Sequence, residues 1–303
     1  MAAKYSEVTT APEIAGVEHS YVQLHDGRLH IATMGAGAPV LLLHGFGQTW
    51  WEFRDLIPAI AKAGYRAIAP DLRGEGWSEL PINPMTRLQR FHDVVSLLDQ
   101  LGLKSVAMVS HDLGAITAFQ LALELPERFS SQIMVAVPPP QMRFSVDLIP
   151  GMKNLWHQEA LAVPYLGRKL MASGTMFRHF FSPKFLTKAL DDEVLAQYEK
   201  TMKLPQFPRA AELLCRQVVL PELARIIAGS YRSARFAMPS QFIFGAKDSG
   251  FPAAVLRKVF EDSSLIGPDV QLEVIQDAGH FVIDEQPQAV SRTVMAFLDT
   301  HRA

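Results

Sequence analysis

The chain has 303 residues, 49% hydrophobic and 20% charged, which suits a soluble globular protein built as one α/β domain with an insertion. A formal net charge of −2 gives no basis for nucleic acid or an anionic membrane as a partner. A single cysteine, Cys215, excludes an intramolecular disulfide framework, no Cys/His cluster has metal-ligand spacing, and no apolar run approaches the ~18 residues of a membrane helix.

Residues 1–19 read as a loosely ordered lead-in without the apolar core of a signal peptide, so a cytoplasmic location is expected. Tyr21–Leu24 and Leu29–Ala32 alternate around Asp26-Gly27, a hairpin signal because Asp-Gly tolerates the positive φ of a tight turn. Pro39–Leu43 is a continuous apolar run, as expected of a strand buried on both faces. It ends in His44-Gly45-Phe46-Gly47-Gln48-Thr49-Trp50-Trp51, whose glycines leave backbone N–H groups free at the strand's carboxyl end. A helix is predicted from Trp51 to Ala63, closed by Gly64. Arg66–Pro70 is the next strand, and the loop after it carries Asp71 and Arg73, read as an ion pair that holds the loop. From Thr86 to Leu101, the residues Leu88, Phe91, Val95, Leu98 and Leu101 follow helical spacing, with His92 structural and Gly102 as the stop.

Val106–Val109 is an apolar strand that runs into Ser110-His111-Asp112-Leu113-Gly114 and then a helix to Leu123. Small residues flank the tip of this turn, the pattern of a nucleophile elbow that exposes one side chain above a sheet. The tip holds Asp112, where serine is the familiar occupant. Taken alone, Asp112 is equally well read as a helix N-cap. As a nucleophile, a carboxylate attacks an sp3 carbon and forms an alkyl ester. Ser131–Val137 is a further buried strand, and the alternation so far implies a parallel sheet.

Pro138-Pro139-Pro140 breaks the alternation. Residues 139–238 read as a helical cap between two parts of a core, 1–138 and 239–303, with a stripe of Met142, Met152, Met171, Met176, Phe177, Phe180, Phe181 and Phe185. The sheet resumes at Ser240–Phe244, followed by Asp248, and at Val270–Ile275, followed by Gly279-His280-Phe281. Pro287 opens a last helix that buries Val290, Val294, Phe297 and Leu298. Asp112, Asp248 and His280 each follow a buried strand, in the chain order nucleophile, acid, histidine.

Together, the His44–Trp50 loop, the Asp71-x-Arg73-Gly74-x-Gly76-x-Ser78 loop, the Asp112 elbow, the Asp248 turn and Gly279-His280-Phe281 with Asp284-Glu285-Gln286-Pro287 resemble the α/β-hydrolase-fold enzymes of the epoxide hydrolase group. The resemblance covers nearly the whole chain. It implies a mostly parallel central sheet with an inserted helical cap, and catalysis without a metal or organic cofactor. It further implies that Asp112 attacks an epoxide carbon and that His280, oriented by Asp248, activates water against the resulting ester. The backbone N–H groups of Phe46 and Leu113 would form the oxyanion hole.

Three departures stand out against that family. Two cap tyrosines usually face the epoxide oxygen; Cys215 of Leu214-Cys215-Arg216 stands at one of their places and the Trp156-His157 pair at the other. His157, Trp156, Cys215, Tyr165 and Tyr198 are therefore the candidate cap donors or substrate contacts, each also readable as packing. Gly47 stands where the family commonly has proline. The same triad serves haloalkane and haloacid dehalogenases, but Leu113 offers no side-chain donor to a halide. An ester hydrolase would need serine at the tip, and a non-catalytic binding member would not need the three residues together. The expected partners are a small apolar substrate and water, with a homodimer left open.

Overall fold

The computed structural model describes residues 11–142 and 153–302. The first ten residues of the lead-in, Met152 and the rest of the segment 143–152 of the expected cap lie outside the described residues. Eight strands form one sheet: β1 Glu18–Gln23, β2 Arg28–Gly35, β3 Ala38–Leu43, β4 Tyr65–Pro70, β5 Val106–His111, β6 Phe129–Val135, β7 Ser240–Gly245 and β8 Val270–Ile275. Their order is β1-β2-β4-β3-β5-β6-β7-β8. β2 pairs antiparallel with β1 and β4, and every other neighbouring pair is parallel.

The hairpin forms where the Asp-Gly signal places it, with Gln23 opposite Arg28. The reason for the glycine differs from the expectation. Gly27 is absent from the positive-φ positions, and a Cβ there would collide with the Glu79 carbonyl oxygen. Close approach of the Glu79 backbone demands the glycine.

Helices cover both faces, as two-sided burial of the central strands requires. α1 (Leu56–Lys62) and the C-terminal helix lie against one face; α2 (Arg87–Gln100) and α3 (Asp112–Glu124) form the core of the other. The predicted helix at 51–63 is divided. Trp50–Phe53 forms a 3-10 turn capped by Thr49, and α1 starts only at Leu56. α2 is capped by Thr86, which accepts from the Gln89 N–H (3.1 Å). Its buried face is Phe91, Val94, Leu97 and Leu98, while Leu88 is 56% exposed and His92 is exposed. The face is rotated from the predicted stripe because Arg90 and Asp93 turn inward to buried ion pairs. Each fully buried Leu or Phe on these helices contributes about 1.5–3 kcal/mol.

Asp71 and Arg73 do not pair with each other, contrary to the sequence reading. Asp71 accepts from the Trp50 and Trp77 N–H groups and binds His30 (2.8 Å), whereas Arg73 binds Asp93 and Asp26. The two side chains diverge and tie the loop to different elements.

Between β6 and β7 the regular elements among the described residues are helices, which include α4 Trp156–Ala162, α5 Leu166–Ala172, α6 Thr175–Phe180, α7 Asp192–Met202, α8 Phe207–Leu214 and α9 Leu220–Ala228. A π-helical turn, Cys215–Val219, joins α8 to α9. Pro221 explains it, since it lacks the N–H that would continue the α-helical ladder. α10 (Ala253–Val259), the short α11 (Val282–Glu285) and α12 (Pro287–Thr300) complete the chain. α12 buries Val290, Val294, Phe297 and Leu298, the four expected residues. Among the described residues no helix is long and apolar enough to cross a membrane.

Candidate active site

Asp112 sits at the junction of β5 and α3 with φ +44, a left-handed conformation that costs an L-residue on the order of 1–3 kcal/mol. The turn closes because its neighbours are small. A Cβ at Gly114 would collide with the Leu43 carbonyl oxygen, so only glycine lets α3 start this close to β3. Ala136, after β6, is a second non-glycine residue with positive φ (+56) on the cavity wall.

The loop after β3 folds over Asp112. The Phe46 N–H donates to Asp112 Oδ1 (2.9 Å). Gly45 lets the loop approach: a Cβ there would lie 2.5 Å from Gln48 Oε1 and 3.1 Å from the Asp112 Cβ. Gly47 has φ +72, which proline cannot adopt, and its N–H donates to buried Glu75 (3.2 Å). The glycine in place of the family's proline thus has a local cause. Leu113 is the second residue of α3, at the helix end where N–H groups lack intrahelical partners.

His280 and Asp248 come to the same place. His280 Nδ1 donates to Asp248 Oδ2 (3.0 Å), and Asp248 Oδ1 accepts from the Gly250 N–H (2.8 Å). His280 Nε2 lies 3.6 Å from Asp112 Oδ2, close for an ion pair and long for a hydrogen bond. The Asp112 and His280 side chains are 29% and 20% accessible, while Asp248 is sealed at 1%. All three line the cavity, Asp112 and His280 with open side chains and Asp248 with one that is nearly sealed. Burial opposes ionisation of Asp112, but His280 beside it, then His111 and the Phe46 N–H, hold its carboxyl well below the usual range. Burial likewise opposes protonation of His280, and the Asp248 and Asp112 carboxylates override it, so its imidazole is held well above its ordinary value.

A buried network below this pair escapes a motif reading. His111 Nδ1 faces Gln48 Oε1 (3.0 Å) and Glu52 Oε1 (2.6 Å), and its Nε2 faces the His280 carbonyl (3.1 Å). The Gln48 and His280 oxygens are acceptors, so both ring nitrogens donate and His111 is cationic, with Glu52 at ion-pair distance. Burial opposes that charge and Glu52 outweighs it, raising the imidazole above its ordinary value. The Gln48 amide nitrogen turns to Tyr198 and Asp284, and Arg54 closes the network on Asp284. Gln48 and His111 lie inside two of the quoted motifs and Glu52 just beyond one of them, but their mutual contact depends on the 3-10 turn, which periodicity does not foretell.

A cavity of about 200 Å³ opens over Asp112. Leu113, Ile116, Val219, Leu223, Phe180 and Phe185 supply much of its apolar wall, and among the described residues no Arg, Lys or Tyr lines it. His157 and Cys215 are on the wall; Trp156, Tyr165 and Tyr198 are not. Tyr198 is fully buried and hydrogen-bonds Asp284 (2.9 Å). Tyr165 is 71% exposed under the Arg168 guanidinium, and Trp156 is 46% exposed with its edge on His179. These three candidates are displaced from the cavity because helix rotation points them to the network or to solvent. Burial, then His179, pushes the His157 imidazole down to about 4, so it is neutral at pH 7. Burial, with Asp112 adding to it, raises the Cys215 thiol far above neutrality. Among the described residues no cluster of three or more His, Cys, Asp or Glu is arranged to hold a metal ion.

Comparison with known proteins agrees with this architecture. A family profile described as the alpha/beta hydrolase fold matches residues 38–287. "Epoxide hydrolase 3" of Siraitia grosvenorii is 28% identical, over 93% of this chain and 98% of that protein. "Soluble epoxide hydrolase" of Corynebacterium sp. (strain C12) is 27% identical, over 93% of this chain and 97% of its own length. Among solved structures, the epoxide hydrolase CorEH without ligand superposes with a TM-score of 0.80 at 24% identity, covering 94% of this chain and all (100%) of that one. At this identity the structural likeness speaks to fold alone.

Proposed function

The chain belongs to the α/β-hydrolase fold family, and we propose that within it this protein opens an apolar epoxide to a vicinal diol through a covalent ester on Asp112. The names of its full-length relatives support the reaction class. The observation that carries the mechanism is the unlike placing of the two Asp112 oxygens. Oδ1 accepts the Phe46 N–H, and Oδ2 stands beside His280 at the cavity floor.

In this reading Oδ2 attacks an epoxide carbon from behind, the C–O bond breaks, and the oxygen leaves toward the helices opposite. Residues 139–238 act as the cap that supplies this opposite wall. Among the described residues His157 is the one imidazole on that wall, and in this reading it faces the released oxygen. Alkylation removes the charge of Asp112, and with it one of the two carboxylates that hold His280 protonated. The imidazole then gives its proton to water in the cavity and becomes a base once an ester exists to hydrolyse. Water activated by His280 attacks the ester carbon, and charge develops on Oδ1, toward the Phe46 and Leu113 N–H groups. Such a donor is worth about 3–4 kcal/mol in the transition state. That no Arg or Lys among the described residues lines the cavity supports a neutral substrate over a haloacid, which would carry a carboxylate.

The test is the intact mass of a His280→Gln variant after incubation with epoxides and haloalkanes. An adduct of the whole epoxide, mapped to Asp112, is the expected result. An alkyl adduct without halogen would assign dehalogenation instead, and no adduct from any epoxide would remove the ester mechanism.

A further inference from the structure

The chain as a whole has 29 Lys or Arg and 31 Asp or Glu, but the charges are spread unevenly. Residues 153–188, which form α4, α5, α6 and the turns around them, hold six cations (Lys153, Arg168, Lys169, Arg178, Lys184 and Lys188) and one acid, Glu159. Among the described residues only Arg168 of the six has a carboxylate partner, the buried Glu212. The net charge of −2 therefore conceals a basic surface on these three helices.

The same stretch holds apolar side chains out in solvent. Val163, Pro164, Tyr165 and Leu166 are four consecutive exposed residues in the turn from α4 to α5. Trp156, also exposed, lies two helical turns before Val163 and so on the same side of α4. Among the described residues, half of the exposed large apolar side chains fall in this one place.

The exposure is built into the turn. The Leu166 N–H donates to the Pro164 carbonyl (2.8 Å) across Tyr165, whose φ of +65 and ψ of −38 make a γ-turn of the rare, strained hand. One oxygen of Glu212, on α8, accepts both the Tyr165 N–H (2.9 Å) and Arg168 Nε (2.9 Å). Gly167 seats the turn, because a Cβ there would collide with the Leu161 carbonyl oxygen. A buried carboxylate thus holds the turn in shape, with Tyr165 outward and the Arg168 guanidinium 4.9 Å from its ring. A connection between two helices needs neither a tyrosine on strained backbone nor its ring in water, so the patch calls for a partner.

Charge selects the partner. A second copy joined about a two-fold axis would bring Arg168, Lys169 and their neighbours against the same cations. An anionic lipid surface suits both halves of the patch. Trp and Tyr rings settle at the headgroup level, Val and Leu enter the acyl boundary, and Lys and Arg attract the phosphates, with Glu159 alone opposing. We infer that the turn from α4 to α5 docks this protein on the surface of an anionic lipid bilayer, with Trp156, Val163, Tyr165 and Leu166 at the interface and Lys153, Arg168 and Lys169 around them. His157 and Gln158 of α4 line the cavity, so docking brings the cavity beside the phase in which apolar molecules dissolve. The inference does not rest on the epoxide reading.

The experiment mixes the full chain with vesicles of phosphatidylcholine, alone or with about one part in three of phosphatidylglycerol, and sediments them. Binding to the anionic vesicles is expected to be at least about tenfold tighter than to the neutral ones, and to be lost in about 0.5 M NaCl. The double variant Tyr165→Asn, Leu166→Ser should weaken it by about tenfold or more; asparagine accepts a positive φ, and a thermal melt checks the fold. Lys169→Glu, an exposed change outside the γ-turn, should weaken binding about tenfold and keeps the test decisive if the double variant unfolds. Binding to neither kind of vesicle, or equally to both, overturns the inference. So does wild-type binding by the folded double variant or by Lys169→Glu. A dimer in analytical ultracentrifugation that the double variant abolishes would give the patch to a second copy and overturn it as well.

Discussion

The two walls of the cavity are built on opposite terms. The floor comes from strand ends, where directed hydrogen bonds on glycine-tightened turns join Phe46 to Asp112 and His280 to Asp248. The opposite wall comes from helices, where His157, Phe180 and Phe185 meet through ring faces and edges, with His179 packed behind them, and polar atoms lack partners. The difference teaches where each property resides. A rigid, satisfied floor sets which bond is made, and a loosely bonded helical wall sets which molecule fits and how its oxygen is protonated.

The comparison is broken most severely at the floor. Asp112→Ala should lower turnover by roughly 10⁴–10⁶-fold and lower the melting temperature as well, because it removes a carboxylate that His280 and the Phe46 N–H stabilise and leaves alanine at a positive φ. Steady-state turnover and a thermal melt check both halves. A variant that keeps appreciable activity would deny the floor its role. Gly45→Ala is the next largest. Its Cβ would press Gln48, His111 and Asp112, moving the Phe46 N–H off Oδ1, so kcat should fall by about 10²–10³-fold with a smaller change in KM.

Asp71 sharpens the contrast within the floor itself, since it too follows a strand of this sheet. Its oxygens are taken by His30, Trp50 and Trp77, and no part of it faces the cavity. Burial opposes its ionisation, but His30 and then His44 hold its carboxyl below the usual range. Asp71→Asn should therefore cost about 3–5 kcal/mol of stability yet leave turnover per folded molecule nearly unchanged. Because the folded value is depressed, the stabilisation is fully present above the unfolded carboxylate range near ~3.9 and is lost as pH falls below it toward the folded value. The gap in unfolding free energy between wild type and Asp71→Asn should be flat from neutrality to about pH 4 and shrink below it. Denaturant titrations at several pH values measure this gap.

The smallest expected effect is on the helical wall. The Cys215 thiol is buried and far from ionising, so Cys215→Ser should shift KM and the preference among epoxides more than the rate of ester formation. A large loss in that rate would make Cys215 a proton donor and reassign the wall.

The floor is legible in the sequence because each of its parts has a local physical signature. An apolar run followed by a small residue, an acid and glycine specifies a turn wherever it occurs, and His280 and Asp248 follow runs of the same kind. The cap-side wall is less legible. Helical periodicity says that Tyr165 and Tyr198 lie on helices or at their ends, but which way they face depends on how the helices rotate over the sheet. The hidden network of Glu52, Gln48 and His111 needs three separate segments to meet, and no spacing records that. Asp71 and Arg73 look like a pair for the same reason, being near in sequence while their side chains diverge in space.

The central claim, that an oxygen of Asp112 rather than water makes the first bond to carbon, is tested most directly by a single turnover in ¹⁸O-labelled water with enzyme in excess over epoxide. The account predicts that the first diol carries no label and that ¹⁸O appears in the Asp112 carboxyl, because water attacks the ester carbon and leaves its oxygen on the protein. A first diol that carries ¹⁸O, with Asp112 unlabelled, would contradict it.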